Sequence, residues 1–224
     1  MLAIAHVAPQ ITTEQPQAYP SPVGIANQQH TRSLADFIVH TTVGAHRAVV
    51  TLTSFYRENT LRLDVGDKTL WPDCAFQLLD SSGQELSFVV ELDNSTERIR
   101  SPRELESWER KIRLYDEYQY ASGRRFRVLI VATRSHERMK HILSAAADLI
   151  RNPQRSLFYG NTLANYLGEP NGVTSPCFTD HLGRRVALLP RQRFAPASSA
   201  LRHSPRYQAA PSQVEPSRLE LSLC

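Results

Sequence analysis

The sequence predicts an α/β domain, a mixed central sheet flanked by helices, and three observations predict it. Residues 128–132 read Val-Leu-Ile-Val-Ala, an unbroken apolar run that suits a central strand covered on both faces. Residues 61–65, 74–79 and 86–93 have the alternation or apolar bias of strands, and turn-forming Gly, Pro and Asp separate them. Around them lie stretches whose apolar residues recur every three or four positions, as in helices with one buried face.

Residues 1–30 are rich in Pro, Gln, Thr and Ala without a sustained period, and read as an arm. From Ser33, the positions Leu34, Phe37, Ile38, Thr41, Ala45, Ala48, Val49, Leu52, Phe55 and Tyr56 predict one helix over residues 33–56. The β-branched run Val49-Val50-Thr51 lowers helix propensity within it. The first strand, residues 61–65, ends at Gly66-Asp67. Pro72 introduces the second, Asp80-Ser81-Ser82-Gly83 forms a hairpin loop, and the third follows.

Ser101-Pro102-Arg103-Glu104 has the pattern of a helix start: serine as cap, proline in the first position, glutamate returning to the cap backbone. That helix ends near Ser122-Gly123 and places Trp108, Lys111, Tyr115 and Tyr118 on one side. The strand at residues 128–132 comes next, then a second helix over residues 135–151, stopped by Asn152-Pro153. Residues 158–167 and 186–189 are weaker segments. After Pro190 the chain has little to bury, which predicts disorder. The expected organisation is an arm over 1–30, an α/β domain over 31–190 and a disordered basic tail over 191–224.

The chain has 224 residues and a net charge of +4. Residues 184–206 hold six arginines and no acid, a local +6, so the remainder carries −2. A basic tail holds phosphate backbones by counterion release, and it also simply solubilises. No apolar run approaches the ~18 residues of a membrane span, so no membrane association is expected. The start lacks a basic region followed by an apolar one. Three cysteines, far apart and without a CxxC pair, argue against a disulfide framework and a zinc ribbon. The expected setting is reducing and cytoplasmic.

The chemistry-bearing stretch runs from Trp71 to Asp93. Side chains alternate on a strand, so Val89, Glu91 and Asp93 share one face and Phe88, Val90 and Leu92 the other. Two acids therefore point the same way, and Asp73 sits one strand over. Converging carboxylates on rigid elements are what a hard divalent cation requires. Equally, Glu91 and Asp93 can solvate a strand end and Asp73 can belong to a turn. Residues 136–141, His-Glu-Arg-Met-Lys-His, are not a zinc HExxH: the second histidine comes one residue late and lies on another helix face. His40 and His46, six apart, fail likewise. No Walker loop, GxGxxG or GxSxG is present.

The order helix, strand, strand, strand, helix, strand, with acids on the second and third strands, resembles the restriction-endonuclease-like or PD-(D/E)xK core (αβββαβ). Pro72-Asp73 and Glu91-Leu92-Asp93 sit where that superfamily's motif sits. More narrowly, Pro72-Asp73, the run Phe88-Val89-Val90-Glu91-Leu92-Asp93-Asn94-Ser95-Thr96-Glu97, Lys111-Ile112-Arg113-Leu114-Tyr115 and Val128-Leu129-Ile130-Val131 resemble the replication-relaxation family. These are bacterial, often plasmid-borne proteins implicated in plasmid relaxation and replication. The resemblance covers roughly residues 40–189. Two departures stand out. The superfamily's lysine, two residues after the second acid, is here Asp93, and Lys111 is the lysine in the vicinity. The N-terminal winged-helix part that members commonly carry does not fit in the first thirty residues, so the chain reads as the nuclease-like half.

Two functions follow as expectations. In the first, a Mg²⁺- or Mn²⁺-dependent DNA nuclease or nickase, Asp73 and Glu91 hold the cation with Asp93 assisting, and Lys111 orients the water. Glu58 is an additional carboxylate, and Arg98, Arg100, Arg103, Arg184 and Arg185 contact DNA. In the second, a non-catalytic DNA-associated or protein-interaction module keeps the fold without the chemistry. The resemblance also implies a relaxase or replication protein as partner. Lys111 lies nine residues into a helix opening at Pro102, ~13 Å along its axis, a distance that allows it to come level with Glu91; the alternative is a lysine on the solvent side, paired with its neighbours Glu104 or Tyr115.

Overall fold

A computed structural model describes residues 25–101 and 107–189 of the chain. Helix α1 (Ile25–Arg47) is followed by β1 (Thr51–Tyr56), the short hairpin β2 (Leu63–Val65) and β3 (Lys68–Leu70), and the longer hairpin β4 (Cys74–Leu79) and β5 (Glu85–Asp93). Next come α2 (Trp108–Ser122), β6 (Arg127–Ala132), α3 (His136–Leu149), β7 (Phe158–Thr162), α4 (Leu163–Leu167), β8 (Phe178–Asp180) and β9 (Arg185–Val186). Among the described residues, β1, β4, β5, β6, β7, β8 and β9 form one sheet in that order, with β2 and β3 a separate ribbon. β5, β6 and β7 run parallel, and the pairs outside them are antiparallel. The sheet is therefore mixed, with helices on both faces.

Alternation decides which helix each strand residue meets. Val89, Val128 and Ile130 pack against Ile112 and Tyr115 of α2 and Met139 and Ile142 of α3. Phe88, Val90, Leu129 and Val131 face the opposite way, against Leu34 and Phe37 of α1 and Tyr166 of α4. β6 is apolar throughout because both of its faces are covered. The β4–β5 loop is the expected one: Asp80 Oδ1 accepts from the amides of Ser82 and Gln84, and Gly83 has φ 81°.

The expected helix over residues 33–56 is two elements. α1 starts at Ile25, so residues 25–30 of the expected arm are helical, and it ends at Arg47 before the β-branched run that becomes the edge strand β1. The first strand of the sheet is thus Thr51–Tyr56, while the segment expected to fill that place forms the small ribbon. The Val50 amide reaches back to the Ala45 carbonyl (3.0 Å), closing α1 with Val49 in the left-handed region at φ 56°. This position favours glycine, and a β-branched residue is strained there. Val49 is 87% exposed, so its side chain contributes little burial. Val49→Gly is expected to stabilise the protein by about 0.5–1 kcal/mol, the relief of strain exceeding the entropy gained by the unfolded chain. The check is the denaturant midpoint, which should rise at unchanged slope; a lower midpoint contradicts the strain.

α2 begins at Trp108, not at Pro102. Ser107 caps it, its hydroxyl accepting from the Arg110 amide (3.3 Å), and Gly123 ends it at φ 65°. Residues 102–106, expected to open the helix, lie outside the described residues, as do residues 1–24 and the tail from 190 onward.

Candidate active site at the ends of the central strands

The antiparallel register of β4 and β5 sets the site. Cys74 pairs with Val90, so Asp73, just before β4, comes level with Glu91 and Leu92 near the end of β5. Asp73 is locked there: its amide donates to the Val90 carbonyl (3.1 Å), and its Oδ2 accepts from the Leu92 amide (2.6 Å). Its Oδ1 lies 3.3 Å from His30 Nε2, which lies 3.8 Å from Glu58 Oε1. His30 comes from the second turn of α1, one turn before Leu34, and Glu58 from the segment after β1. One ligand atom from each of His30, Glu58 and Asp73 falls within 4.8 Å of the others. The far side of the imidazole is occupied too, with the Asn94 amide 2.8 Å from Nδ1.

Glu91 points to the α2 side, as alternation expects. Lys111 Nζ donates to Glu91 Oε2 (2.9 Å) and to Glu97 Oε1 (2.7 Å), and the Tyr115 hydroxyl donates to Glu91 Oε1. Lys111 and Tyr115 are one helical turn apart, so both reach the same carboxylate. With α2 starting at Trp108, Lys111 sits in its first turn, beside the end of β5. The expected nearness to Glu91 arises because the helix begins beside the strand end, not from a long run back along the sheet.

Burial, joined by the Asp73 charge, outweighs the opposing pull of Lys111 and Tyr115 and pushes Glu91 up to about 6. Burial alone would lower the Lys111 ammonium, but Glu91 and Glu97 hold it above the usual lysine range. The lysine therefore keeps its proton, and Glu91 is the member of the pair nearer to losing its charge. The hydrogen bond to Asp73, reinforced by the charges of Asp73, Glu58 and Glu91, raises His30 against the effect of burial. Tyr115 is raised, first by burial and then by Glu91, so it stays a donor.

Asp93 shares the Glu91 face and yet is held elsewhere. Arg138 of α3 grips it with Nε to Oδ2 (2.7 Å) and Nη2 to Oδ1 (3.0 Å), and Trp108 Nε1 adds a bond to Oδ1 (3.1 Å). Both oxygens serve the scaffold that joins β5, α2 and α3. Of the arginines expected at DNA, Arg100 is paired with Asp148 (2.5 Å) and Arg184 with Asp180 (2.8 Å), and Arg98 is exposed. Arg184 lies in the β8–β9 turn and Arg185 opens β9, four strands from β5, about 19 Å at ~4.8 Å per strand. They are not gathered around Asp73. Arg103 lies outside the described residues.

His30 and Arg138 were not singled out by sequence reasoning, and Tyr115 and Glu97 entered it only as a residue on the Lys111 side of the helix and as part of the resembling runs. His30 had a signal, since it extends the Leu34 and Phe37 face one turn toward the N-terminus. Tyr115 had one in its spacing from Lys111. Glu97 and Arg138 had none that local pattern could supply.

No protein family, curated protein or solved structure matches the chain. The resemblance to replication-relaxation proteins accordingly rests on the residues themselves.

Proposed function

We propose that the chain is a divalent-metal-dependent DNA nuclease or nickase of the plasmid replication-relaxation type, built on a restriction-endonuclease-like core. The observation that carries this reading is the charge balance beside Asp73. Glu58, Asp73, Glu91 and Glu97 converge on one lysine and one histidine, and such a surplus of carboxylates is costly without a further cation or proton. The residues fit a cation on a second count. Glu97 Oε2 is buried without a hydrogen-bond partner among the described residues, an orphaned acceptor beside the lysine. The chain order α1, β1, β4, β5, α2, β6 within the main sheet supports the αβββαβ core.

Mg²⁺ or Mn²⁺, bound through Asp73 with Glu91 alongside, would supply a Lewis acid that lowers the pKa of water and offsets charge on phosphoryl oxygens. The chain's own groups do the rest. Asp73 presents Oδ1 while Leu92 holds Oδ2, so the carboxylate is oriented before any ligand arrives. Lys111, keeping its proton, acts as a fixed positive donor to the phosphoryl group and not as a base. Tyr115 fixes the Glu91 carboxylate through Oε1, the oxygen that Lys111 does not take. Trp71, two residues before Asp73 and 49% exposed, offers a stacking face to an unpaired base. No described helix is long and apolar enough to cross a membrane. DNA is the proposed partner, with a relaxase or replication protein as the associated one.

The test is conversion of supercoiled plasmid to open circle with Mg²⁺ or Mn²⁺. Wild type should nick, EDTA should stop it, and Asp73→Ala or Glu91→Ala should slow it at least a hundredfold with circular dichroism unchanged. One observation favours the second reading, a DNA-associated module without chemistry: the place of the superfamily's lysine holds Asp93, tied into an ion pair. Plasmid binding without nicking under either metal would select that reading.

A further inference from the structure

We infer that the cation of this site is held in part by nitrogen, with His30 Nε2, Asp73 Oδ1 and Glu58 Oε1 as its ligands, and that the site therefore takes Mn²⁺ in preference to Mg²⁺. The inference rests on the reading that the site takes a cation, and it adds a ligand set and a metal class. Around an octahedral ion at ~2.1 Å, neighbouring ligands stand about 3.0 Å apart and opposite ones about 4.2 Å. The separations of 3.3 and 3.8 Å from Nε2 to the two carboxylates, all three atoms within 4.8 Å, match one shared ion after small side-chain shifts.

Hydrogen-bond accounting around Asn94 points the same way. The Thr133 hydroxyl lies 3.2 Å from the Asp93 carbonyl and 2.8 Å from the Asn94 Oδ1 position. With an oxygen there, two acceptors compete for one hydroxyl proton. An amide has the same shape turned over, and that orientation satisfies every group: Asn94 Nδ2 donates to Thr133, Thr133 to the Asp93 carbonyl, and His30 Nδ1–H to Asn94 Oδ1. With Nδ1–H held by Asn94, Nε2 is the ring atom that faces the two carboxylates, where it carries a proton when no metal is bound and where a cation can take that proton's place. A ligating histidine held through its other nitrogen, and a ligating carboxylate held through its other oxygen by the Leu92 amide, form the outer support typical of metal sites. Imidazole nitrogen favours first-row transition cations, whereas Mg²⁺ prefers oxygen ligands and keeps several waters.

The experiment uses the full chain and Mn²⁺ as the probe, read by electron spin-echo modulation and by competition with Mg²⁺, without DNA. Bound Mn²⁺ should show ¹⁴N modulation from a directly ligating imidazole, and Mg²⁺ should displace it only at more than tenfold higher concentration. His30→Gln should abolish the modulation and weaken Mn²⁺ binding about tenfold or more, leaving Mg²⁺ binding within threefold. Glu58→Gln, at an exposed position, is the second variant: it should weaken Mn²⁺ binding while keeping the modulation. Bound Mn²⁺ without ¹⁴N modulation in wild type, modulation surviving in His30→Gln, or equal competition by Mg²⁺ would overturn the inference. Nitrogen-ligated Mn²⁺ in a protein that nicks no DNA leaves it standing and removes the nuclease reading instead.

Discussion

Arg138→Met is expected to cost about 3–5 kcal/mol of folding stability, among the largest effects of any single change in the described fold. Asp93 is 4% exposed, and the guanidinium grips both of its oxygens. Methionine replaces the bulk without the charge, which leaves a buried carboxylate with Trp108 Nε1 as its remaining side-chain donor among the described residues. Removing one partner of a buried ion pair costs more than the pair contributes, because the other charge remains desolvated. The second substitution Asp93→Asn should therefore recover about half the loss or more, a coupling that a double-mutant cycle in denaturant measures. The same pair decides the role of Asp93. If it is scaffold, Arg138→Met with Asp93→Asn binds Mn²⁺ within about threefold of wild type; if it is a ligand, affinity falls by an order of magnitude. Equal destabilisation in the single and double variants would show that the ion pair is not what α3 contributes here.

How much of this was legible in the sequence depended on whether the information was local. β6, α3 and the β4–β5 hairpin follow from apolar runs, caps and turn residues, all set within a few positions. The boundary between α1 and β1 was harder, since Leu52, Phe55 and Tyr56 continue the helical spacing. Only the β-branched Val49-Val50-Thr51 marks the change, and the edge pairing of β1 with β4 overrides the period. At α2, Ser101-Pro102-Arg103-Glu104 is the stronger written signal, yet Ser107 is the cap. Parallel bridging of Ser107 to Arg98, with the Trp108 and Glu109 amides donating to the Arg98 and Ile99 carbonyls, anchors the chain just before the helix.

The site divides along the same line. That Glu91 and Asp93 share a face is a consequence of strand period, and it holds. Which group holds each of them is a matter of what the facing helices present: Lys111 and Tyr115 of α2 take the two oxygens of Glu91, and Arg138, 45 residues further on, takes those of Asp93. His30 shows the opposite case. Its place on the α1 face was readable from Leu34, but an arm boundary drawn on composition placed it outside the domain. Composition reports what a segment can bury alone, and a helix that docks on a sheet borrows its partner's apolar face.

Lys111→Met should slow nicking about 10²–10³-fold, and should also destabilise the fold in a pH-dependent way. The activity loss follows from removing a preorganised positive donor next to the reacting phosphoryl group. For stability, the variant leaves Glu91 and Glu97 facing each other without the ammonium. Glu91 titrates at about 6 in the folded protein, above its unfolded value, so it favours folding below the unfolded pKa and that contribution is lost as pH rises through 6. Lys111 is one of the groups opposing that rise. Without it the folded value moves further up, and the loss extends to higher pH. The deficit of Lys111→Met relative to wild type should therefore be small near pH 5, where Glu91 is mostly protonated in the fold, and should grow to about 2–4 kcal/mol by pH 8. Adding Glu91→Gln should flatten this dependence. Equal deficits at pH 5 and pH 8 would place the lysine's contribution in packing against Trp108, 5.4 Å from its ring centre, and not in its pairing with Glu91. A pH-dependent deficit with undiminished nicking would keep the pair and remove Lys111 from the proposed chemistry.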